Sequence, residues 1–318
     1  MVTIIQEQEI LSIVKNIDVV AAMEEAFIKY SSGKAVVPPV GELLFDNPKG
    51  EAHIKYGYIK EDDFYCIKVA SGFYENTKLG ISSSQGLMLL FNQKTGEPVA
   101  ILLDGGHLTN IRTAAAGALA AKYFAPKTVN AIGIIGTGIQ GRMQLQYLQK
   151  IRPCKKVWIW DLYPECAMNY KRELQNNFDI QIAANPAEVA KHCNLIITTS
   201  PSESPLLQVA DILPGTHITA VGSDTSEKQE LSAQILHHAD LVISDSITQS
   251  KTRGEIYQAS KYQDFKVNKI TELGIAIKNK NLCRTNENQI SVVDLTGVAV
   301  QDIMIAKAVY NEYIMNNQ

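Results

Sequence analysis

The stretch NAIGIIGTGIQGRMQLQYLQ, residues 130–149, decides the fold of this chain. A short apolar strand runs into Gly136, Gly138 and Gly141, and residues with apolar positions at helical spacing follow. In a dinucleotide-binding turn the first glycine permits the tight turn, the second lets the backbone approach a pyrophosphate, and the third allows close helix packing. The helix N-terminus then faces the phosphates. We therefore predict a dinucleotide site, with a glycine turn in an unrelated α/β sheet as the alternative.

A second apolar strand, KKVWIWD at residues 155–161, ends in an acid at the position that such a site requires. Asp161 lies twenty residues after Gly141, where a carboxylate can accept a hydrogen bond from the ribose 2′-hydroxyl. Because a carboxylate there would repel a 2′-phosphate, the sequence favours NAD(H). NADP(H) stays open as an alternative, since Lys171 and Arg172 follow and a mobile Asp161 would be able to turn away.

Beyond the glycine turn, short apolar runs alternate with helical patterns. The runs are VWIWD, DIQIAA, NLIITTS, HITAVGSD, DLVISDS and ISVVDLTG, with helices expected near residues 164–177 and 186–192. Alternation of this kind is typical of a parallel, doubly wound sheet. We predict an α/β Rossmann domain over residues 116–299.

The first part of the chain has a different texture. Residues 9–32 predict one or two amphipathic helices, and residues 36–103 contain the β-rich runs AHIKYGYI, FYCIKVASGF, GLMLLFN and PVAILLD between turn signals. An alanine-rich helix is expected from Arg112 to Pro126, and a last amphipathic helix at 300–318 returns to the first domain. We predict an α+β domain over residues 1–115 with a mostly antiparallel sheet, completed by residues 300–318.

Composition excludes several classes of function. The chain has 318 residues with a formal net charge of −3, which gives no electrostatic footprint for nucleic acid or an anionic membrane. No apolar run approaches the roughly 20 residues of a membrane span, and the first residues lack the pattern of a signal peptide. The cysteines and histidines show no metal-ligand spacing. We expect a cytoplasmic protein without a metal, whose partner is a small molecule.

Three charged residues outside the glycine turn are candidates for chemistry, because a nicotinamide enzyme needs groups that fix the substrate and manage its proton. Lys68 lies in a largely apolar strand, where burial of its ammonium would be costly without an anion; the alternative is a lysine that reaches solvent at the strand edge. Arg112 opens the alanine-rich helix and could clamp a carboxylate or phosphate, or form a structural ion pair.

Asp224 is the third candidate. It follows the strand HITAVGS, and the carboxyl ends of strands line the ligand crevice of open α/β sheets. An acid there could donate or accept a proton beside the nicotinamide. The alternative is an N-cap for a helix in the following SEKQELSAQIL.

These residues carry a family resemblance along almost the whole chain. The stretch from IKVASGF to AAKYFAPK at residues 67–127 is followed by IGIIGTGIQG, VWIWDLYP, ITAVGSDTSEKQEL and VVDLTGVAVQD. In these motifs and their order the chain resembles the ornithine cyclodeaminase and mu-crystallin family. That family includes ornithine cyclodeaminases, alanine dehydrogenases and reductases of cyclic imines. The resemblance implies a homodimer whose first domain holds the subunit contact and the substrate face.

The resemblance also implies roles for individual residues. Lys68 falls on the substrate lysine, Arg112 on an arginine near the substrate carboxylate and the cofactor, and Asp224 on the catalytic acid of cyclodeaminases. Lys68 and Asp224 are thus the expected catalytic residues, with Lys68 and Arg112 binding substrate. The cofactor, NAD(H) or NADP(H), is expected to contact Ser84, Arg112, Thr113, Gly136, Gly138, Ile139, Gln140, Gly141, Asp161, Thr199, Val221 and Gly222.

Two departures from the cyclodeaminase pattern guide the choice of activity. Pro39 stands where cyclodeaminases resemble one another in an arginine, and Lys55 stands where they have a glutamate, with Glu51 four residues earlier. We expect a reductase of a small cyclic imino acid, pyrroline-2-carboxylate giving L-proline. Ornithine cyclodeaminase, alanine dehydrogenase and a non-catalytic binder of NAD(P)H or a small ligand are the alternatives.

Overall fold

The structure, a computed structural model, describes residues 2–263 and 265–317. The chain divides into two compact units: unit 1 comprises Met1–Arg112 with Val298–Gln318, and unit 2 comprises Thr113–Gly297. The divisions therefore fall slightly before the boundaries that we expected after residues 115 and 299. Across the described residues, every helix is too short or too polar to span a bilayer.

The strands of the described residues are numbered in chain order. They are β1 (Thr3–Gln6), β2 (Ala35–Val36), β3 (Gly41–Asp46), β4 (Lys49–Ile59), β5 (Phe64–Gly72), β6 (Ser84–Asn92), β7 (Pro98–Leu103), β8 (Ile132–Ile135), β9 (Lys156–Trp160), β10 (Asp179–Ile182), β11 (Leu195–Thr198), β12 (His217–Ala220), β13 (Leu241–Ser244), β14 (Ile270–Glu272) and β15 (Ser291–Asp294).

The α-helices are numbered in the same way. They are α1 (Glu7–Ile13), α2 (Val19–Ser31), α3 (His107–Phe124), α4 (Ile139–Leu148), α5 (Pro164–Leu174), α6 (Pro186–His192), α7 (Ala233–His238), α8 (Glu255–Ser260), α9 (Leu273–Lys278) and α10 (Ala299–Asn316).

Unit 1 is built on a sheet with the order β1-β7-β6-β5-β4-β2, in which β3 also pairs with β4. Only the β1–β7 pair of these described strands is parallel, so the prediction of a mostly antiparallel sheet is confirmed. We did not predict β1 or β3. β1 has only four residues, and β3 lacks the alternation of apolar and polar residues that predicts a strand.

The two faces of this sheet differ because successive strand residues point to opposite sides. On the inner face, Lys55, Lys68, Met88, Leu102 and Ile5 lie in register on five neighbouring strands, and all five are buried. Helix α10 packs against β4, β5 and β6. The adjacent row on the outer face runs from Tyr56 through residues 67, 89 and 101 to Ile4, and its two end members are exposed.

Unit 2 is built on a parallel sheet with the order β10-β9-β8-β11-β12-β15-β13-β14. Its central strands are buried throughout, as expected for a sheet that helices cover on both faces. Strand β8 has β9 on one side and β11 on the other, so the strand order reverses there. Ligands of doubly wound sheets bind at the carboxyl ends of the strands at this switch point. The predicted Rossmann fold is confirmed.

The alanine-rich helix α3 corrects one prediction. We expected it to begin at Arg112, but it begins at His107. The carboxylate of Asp104 accepts a hydrogen bond from the backbone N–H of Leu108 at 2.8 Å, which satisfies a donor of the first turn. Leu108 and Ile111 are buried, so tertiary packing also favours the earlier start. Arg112 therefore lies in the second turn.

Candidate active site

The glycine turn of unit 2 has the geometry that a dinucleotide requires. Gly136 follows β8 with φ +94°, in the left-handed region that favours glycine. A Cβ on Gly136 would lie 2.9 Å from the backbone carbon of Thr199, and a Cβ on Gly141 would collide with the carbonyl oxygen of Gly136. Gly138 precedes α4, and a Cβ there would meet nothing within 4 Å. The turn is thus tightly packed behind Gly138 and open in front of it, which fits a phosphate group at the helix N-terminus.

Asp161 is held at the end of β9 by the same turn. Its Oδ2 accepts hydrogen bonds from the backbone N–H and the hydroxyl of Thr137, both at 2.7 Å, and its Oδ1 accepts one from the N–H of Tyr163 at 3.0 Å. A carboxylate with three donors does not turn away at low cost. The structure therefore favours a fixed Asp161 over the alternative of a mobile one.

Most of the other expected cofactor residues of unit 2 lie at the carboxyl edge of the sheet, whereas Thr113 lies in α3. Thr199 follows β11 and donates its hydroxyl to the carbonyl of Gly136 at 2.8 Å, which joins the ends of β8 and β11. Val221 and Gly222 follow β12. Ile139, 44% exposed, and Gln140 lie in the first turn of α4. The carbonyl of Thr113 accepts a hydrogen bond from Gln144 at 3.1 Å.

Glu230, a residue that we did not predict, holds together the segments at the carboxyl ends of β11 and β12. Its Oε1 accepts from the backbone N–H of Ser200 at 2.5 Å and from the Ser200 hydroxyl at 2.8 Å. Its Oε2 accepts from the hydroxyl of Thr198 at 2.7 Å and from the N–H of Gly222 at 2.9 Å. One buried carboxylate therefore ties the end of β11 to the end of β12. It lies in the motif KQEL, but its partners could not be read from that motif.

Two further buried acids continue from Glu230. Glu255 accepts from the backbone N–H groups of Glu230 and Leu231 at 2.7 and 3.1 Å, and Asp294 accepts from that of Ile256 at 2.9 Å. Burial raises the pKa of Glu230 to about 7 and that of Asp294 to about 8. Burial, together with the neighbouring acids Glu230 and Asp294, also raises the pKa of Glu255. These buried acids hold their loops through hydrogen bonds that they accept from backbone N–H groups and hydroxyl groups.

Asp224 lies in unit 2 and pairs with a lysine. Its Oδ1 is 2.8 Å from Nζ of Lys228, and its side chain is 39% exposed. The expected alternative, an N-cap for a helix within SEKQELSAQIL, is wrong, because the helix there is only Ala233–His238 and its N-cap is Ser232. Asp224 is thus a partly exposed carboxyl group beside a cation, in the segment that follows β12.

In unit 1, Lys68 and Arg112 meet on an acid that we did not predict. Asp302 of α10 has its Oδ1 3.1 Å from Nε of Arg112 and its Oδ2 3.3 Å from Nζ of Lys68. Arg112 also donates to Oε1 of Gln301 at 3.0 Å. Lys68 is 2% exposed and Asp302 is 1% exposed, so the alternative of a lysine that reaches solvent is wrong. Ser84 begins β6 in the same unit.

The electrostatics of this cluster follow from its burial. Burial opposes ionisation of Asp302, but the charges of Lys68 and Arg112 outweigh it and lower the pKa of the carboxyl. Burial lowers the pKa of the Lys68 ammonium, and Asp302 offsets part of that effect. The cations are therefore held in an apolar setting with one acid between them, where an incoming carboxylate would find two positively charged donors.

Asp302 carried a weak signal in the sequence. It is a charged residue in VAVQDIMIAKAV, a stretch whose other members from Ala299 to Ala306 are buried. An acid on the buried side of an apolar helix needs a partner. The pattern alone could not identify Lys68 and Arg112, which precede it by more than 180 residues.

Comparisons with known proteins agree with these features. The family model for the ornithine cyclodeaminase/mu-crystallin family matches residues 1–317. An uncharacterized cyclodeaminase of Sinorhizobium fredii is 35% identical over 95% of this chain and 93% of its own length. An alanine dehydrogenase of Archaeoglobus fulgidus is 32% identical over 99% of this chain and 96% of its own.

A solved structure resembles this protein closely. The Δ1-pyrroline-2-carboxylate reductase of Thermococcus litoralis, in complex with NADH and L-proline, superposes with a TM-score of 0.92. It is 26% identical, and the match covers 99% of this chain and 98% of that one. The family match, the fold and the buried lysine and arginine together lead to one conclusion: this chain belongs to the ornithine cyclodeaminase/mu-crystallin family.

Proposed function

We propose that this protein is an NAD(P)H-dependent reductase of a small cyclic imino acid, with Δ1-pyrroline-2-carboxylate as substrate and L-proline as product. The observation that carries the proposal is the buried contact of Lys68 and Arg112 with Asp302. It leaves cationic donors in an apolar setting, which suits the one carboxylate of such a substrate. The similarity to a reductase that was solved with NADH and L-proline supports it.

The residues of the glycine turn fit a bound dinucleotide, which would supply the hydride to the C=N carbon. Gly138 and the first turn of α4 would hold the pyrophosphate, and Asp161 would hold the ribose. Because Thr137 and Tyr163 fix the Asp161 carboxylate, we propose that NADH binds more tightly than NADPH. Similarity to neighbours solved with NAD or NADH supports this assignment.

The protein's own residues would do three things. Lys68 and Arg112 would bind the substrate carboxylate and orient the ring. Asp224, which lies beside Lys228, would hold a proton on the ring nitrogen, and the positive charge on that nitrogen makes the imine carbon a better hydride acceptor. Lys68 and Asp224 are the proposed catalytic residues.

The test compares three reactions of the purified protein. We expect cofactor oxidation with pyrroline-2-carboxylate, no ammonia from L-ornithine plus catalytic NAD⁺, and slower cofactor oxidation with pyruvate plus ammonia. Proline and ammonia are quantified beside the cofactor. Ammonia release from ornithine without net cofactor turnover would replace the proposal with cyclodeamination, and faster reaction with pyruvate would replace it with alanine dehydrogenase.

The catalytic roles have their own test. We expect Lys68→Ala and Asp224→Ala to lower kcat/KM for the imine by about 100-fold or more each, the usual scale for loss of an acid–base or charge-stabilising group. Lys49→Met, an exposed lysine of β4, is the matched control. Undiminished imine reduction in the double variant would overturn the assignment.

We also propose that the protein is a homodimer through the outer face of the unit 1 sheet. The row from Tyr56 to Ile4 is apolar, and Tyr56 and Ile4 are 39% and 52% exposed. Exposed apolar patches of this kind mark interaction surfaces. Light scattering coupled to size-exclusion chromatography should give twice the chain mass, and Tyr56→Glu should reduce it to the chain mass; a monomeric wild type would refute the proposal.

A further inference from the structure

Arg142 of unit 2 is bonded to the glycine turn, although it is not among the proposed cofactor contacts. It follows Gly141 directly and belongs to α4. Its guanidinium Nη1 donates to the backbone carbonyl of Thr137, and also to that of Gly138 at 3.2 Å. Both carbonyls belong to the turn. One side chain of the helix is therefore bonded back to the peptide groups that precede the helix.

The bond to Thr137 fixes the direction of one peptide group. In a trans peptide the carbonyl and the N–H of the next residue point to opposite sides, and the peptide between Thr137 and Gly138 is trans. Thr137 is 1% exposed, so Arg142 holds its carbonyl on the packed side of the turn. The N–H of Gly138 is therefore directed to the other side.

The peptide group before this one is fixed as well. The backbone N–H and the hydroxyl of Thr137 both donate to Oδ2 of Asp161 at 2.7 Å. Asp161 thus sets the direction of the Thr137 N–H, and Arg142 sets that of the Thr137 carbonyl. Two charged side chains hold two successive peptide groups of the turn.

Arg142 is itself held by helix α5. Its Nε donates to Oε2 of Glu173 at 2.7 Å, and its guanidinium carbon lies 5.2 Å from the ring centroid of Tyr170. Tyr170 is fully buried and donates its hydroxyl to the carbonyl of Gly141 at 3.1 Å. Tyr170 and Glu173 are three residues apart, so they lie on the same face of α5.

Stability alone explains this arrangement poorly. The Glu173 side chain is 55% exposed, and exposed ion pairs contribute little to the free energy of unfolding. An arginine also loses much rotamer freedom when it is fixed. The consequence that the contacts do have is local, because they set the direction of peptide groups in the turn.

We propose that Arg142 is a positioning residue of the dinucleotide site, which directs the Gly138 N–H toward the pyrophosphate by holding the Thr137 carbonyl. The inference rests on the proposed placement of the pyrophosphate at Gly138 and the first turn of α4. A carbonyl dipole turned toward the phosphates would repel them, whereas an N–H attracts them. Arg142 therefore acts on the affinity for phosphate groups and has no part in hydride or proton transfer.

The test compares two fragments of the cofactor. Adenosine has no phosphate, and ADP-ribose contains the pyrophosphate. The dissociation constant of NADH is measured from its fluorescence, and those of the fragments from competition with NADH. In Arg142→Met we expect NADH and ADP-ribose to bind about tenfold more weakly, the scale of one lost hydrogen bond to a charged group. Adenosine should stay within about twofold of its wild-type constant, since its contacts do not involve the Gly138 N–H.

Two further variants and a control sharpen the result. Arg142→Lys keeps the charge but lacks the planar fork, so it should recover only part of the ADP-ribose affinity. Glu173→Gln removes the ion pair but leaves the guanidinium beside the turn, and it should weaken ADP-ribose binding less than Arg142→Met does. Lys150→Met removes an exposed cation just beyond the other end of α4 and should behave as wild type.

Three results would overturn the inference. They are an equal loss of adenosine and ADP-ribose affinity in Arg142→Met, which would indicate a general structural role, an unchanged ADP-ribose constant in that variant, and full wild-type affinity in Arg142→Lys. A wild type that binds ADP-ribose no more tightly than adenosine would overturn the proposed pyrophosphate site as well. Failure of the proposed reaction looks different, because the protein would reduce no imine while the binding series kept the expected order.

Discussion

Asp302 of unit 1 and the acids Glu230 and Asp294 of unit 2 are buried in opposite electrostatic settings. In unit 1, Asp302 lies between Lys68 and Arg112, and these charges lower the pKa of its carboxyl. In unit 2, Glu230 and Asp294 accept hydrogen bonds from backbone and hydroxyl groups, and burial raises the pKa of both. The difference teaches that buried acids of one chain can have separate tasks. Two cations that share one acid can also bind an anionic ligand. Neutral donors that already bond to a buried acid instead hold loops in place.

The largest effect should come from removing the acid of unit 1. Asp302→Asn leaves Lys68 and Arg112 buried without their counter-charge, and breaking a buried pair in this way costs about 3–5 kcal/mol of stability. We expect a marked fall in Tm by scanning calorimetry and loss of imine reduction. Glu312→Gln, ten residues later on the same helix, is the control. A variant that keeps both the wild-type Tm and the activity would show that the cations are not held by Asp302.

A smaller effect should follow from the corresponding change in unit 2. One carboxylate oxygen of Glu230 accepts the backbone N–H of Ser200, and the other accepts that of Gly222. A glutamine at this position would therefore place its amide N–H₂ group against one of these two N–H donors in either orientation. We expect Glu230→Gln to cost about 1–3 kcal/mol in urea unfolding, the penalty of an unsatisfied buried group, and to weaken NADH binding. Glu227→Gln, an exposed neighbour, should do neither. Unchanged NADH affinity in Glu230→Gln would contradict its role at the cofactor edge.

The pH dependence of stability sharpens the comparison. The raised pKa values of Glu230 and Asp294 mean that the folded state keeps protons that the unfolded chain releases near pH 4. The stabilisation that these two groups give to the folded state is fully present below pH 4, and it is lost as the pH rises toward 7 and 8. That of Asp302, with its lowered pKa, is present above about pH 4 and lost below it.

Asp294→Asn should therefore reduce the slope of the unfolding free energy against pH between pH 5 and 8. The reduction should reach up to about 1.4 kcal/mol per pH unit, the value for one proton. Urea unfolding at several pH values measures the slope. Asp179→Asn, at an exposed position of β10, should leave it unchanged. The same slope in Asp294→Asn and wild type would mean that Asp294 is ionised in the folded state at neutral pH.

The smallest effect concerns Asp161, a half-buried carboxylate that neutral donors hold at the ligand-facing edge of unit 2. Asp161→Ser removes the charge that would repel a 2′-phosphate. We expect the ratio of kcat/KM for NADPH to that for NADH to rise about tenfold, or 1.4 kcal/mol. Steady-state kinetics with both cofactors give the ratio, and Glu165→Gln is the exposed control. A wild type that uses NADPH better than NADH would refute this account of Asp161.

Features with local signals were predictable from the sequence. The glycine turn, Asp161 and the largely apolar strand around Lys68 can each be recognised from a few neighbouring residues. Features that depend on distant partners were not. Helix α3 begins early because Asp104 satisfies its first turn, β15 inserts between β12 and β13, and Asp302 meets a lysine and an arginine from the other end of the chain. Each of these features depends on single residues and their distant partners, so no repeating pattern in the sequence predicts it.

Unit 1 is assembled from two stretches of chain that flank unit 2. During synthesis Lys68 and Arg112 leave the ribosome before unit 2 is made, while Asp302 leaves after it. Domains generally fold as units, the N-terminal parts first. Until α10 docks on its sheet, the cations of the proposed substrate site lack their acid. A nascent chain would therefore complete its cofactor-binding unit first, and the proposed substrate site would be among the last parts of the molecule to form.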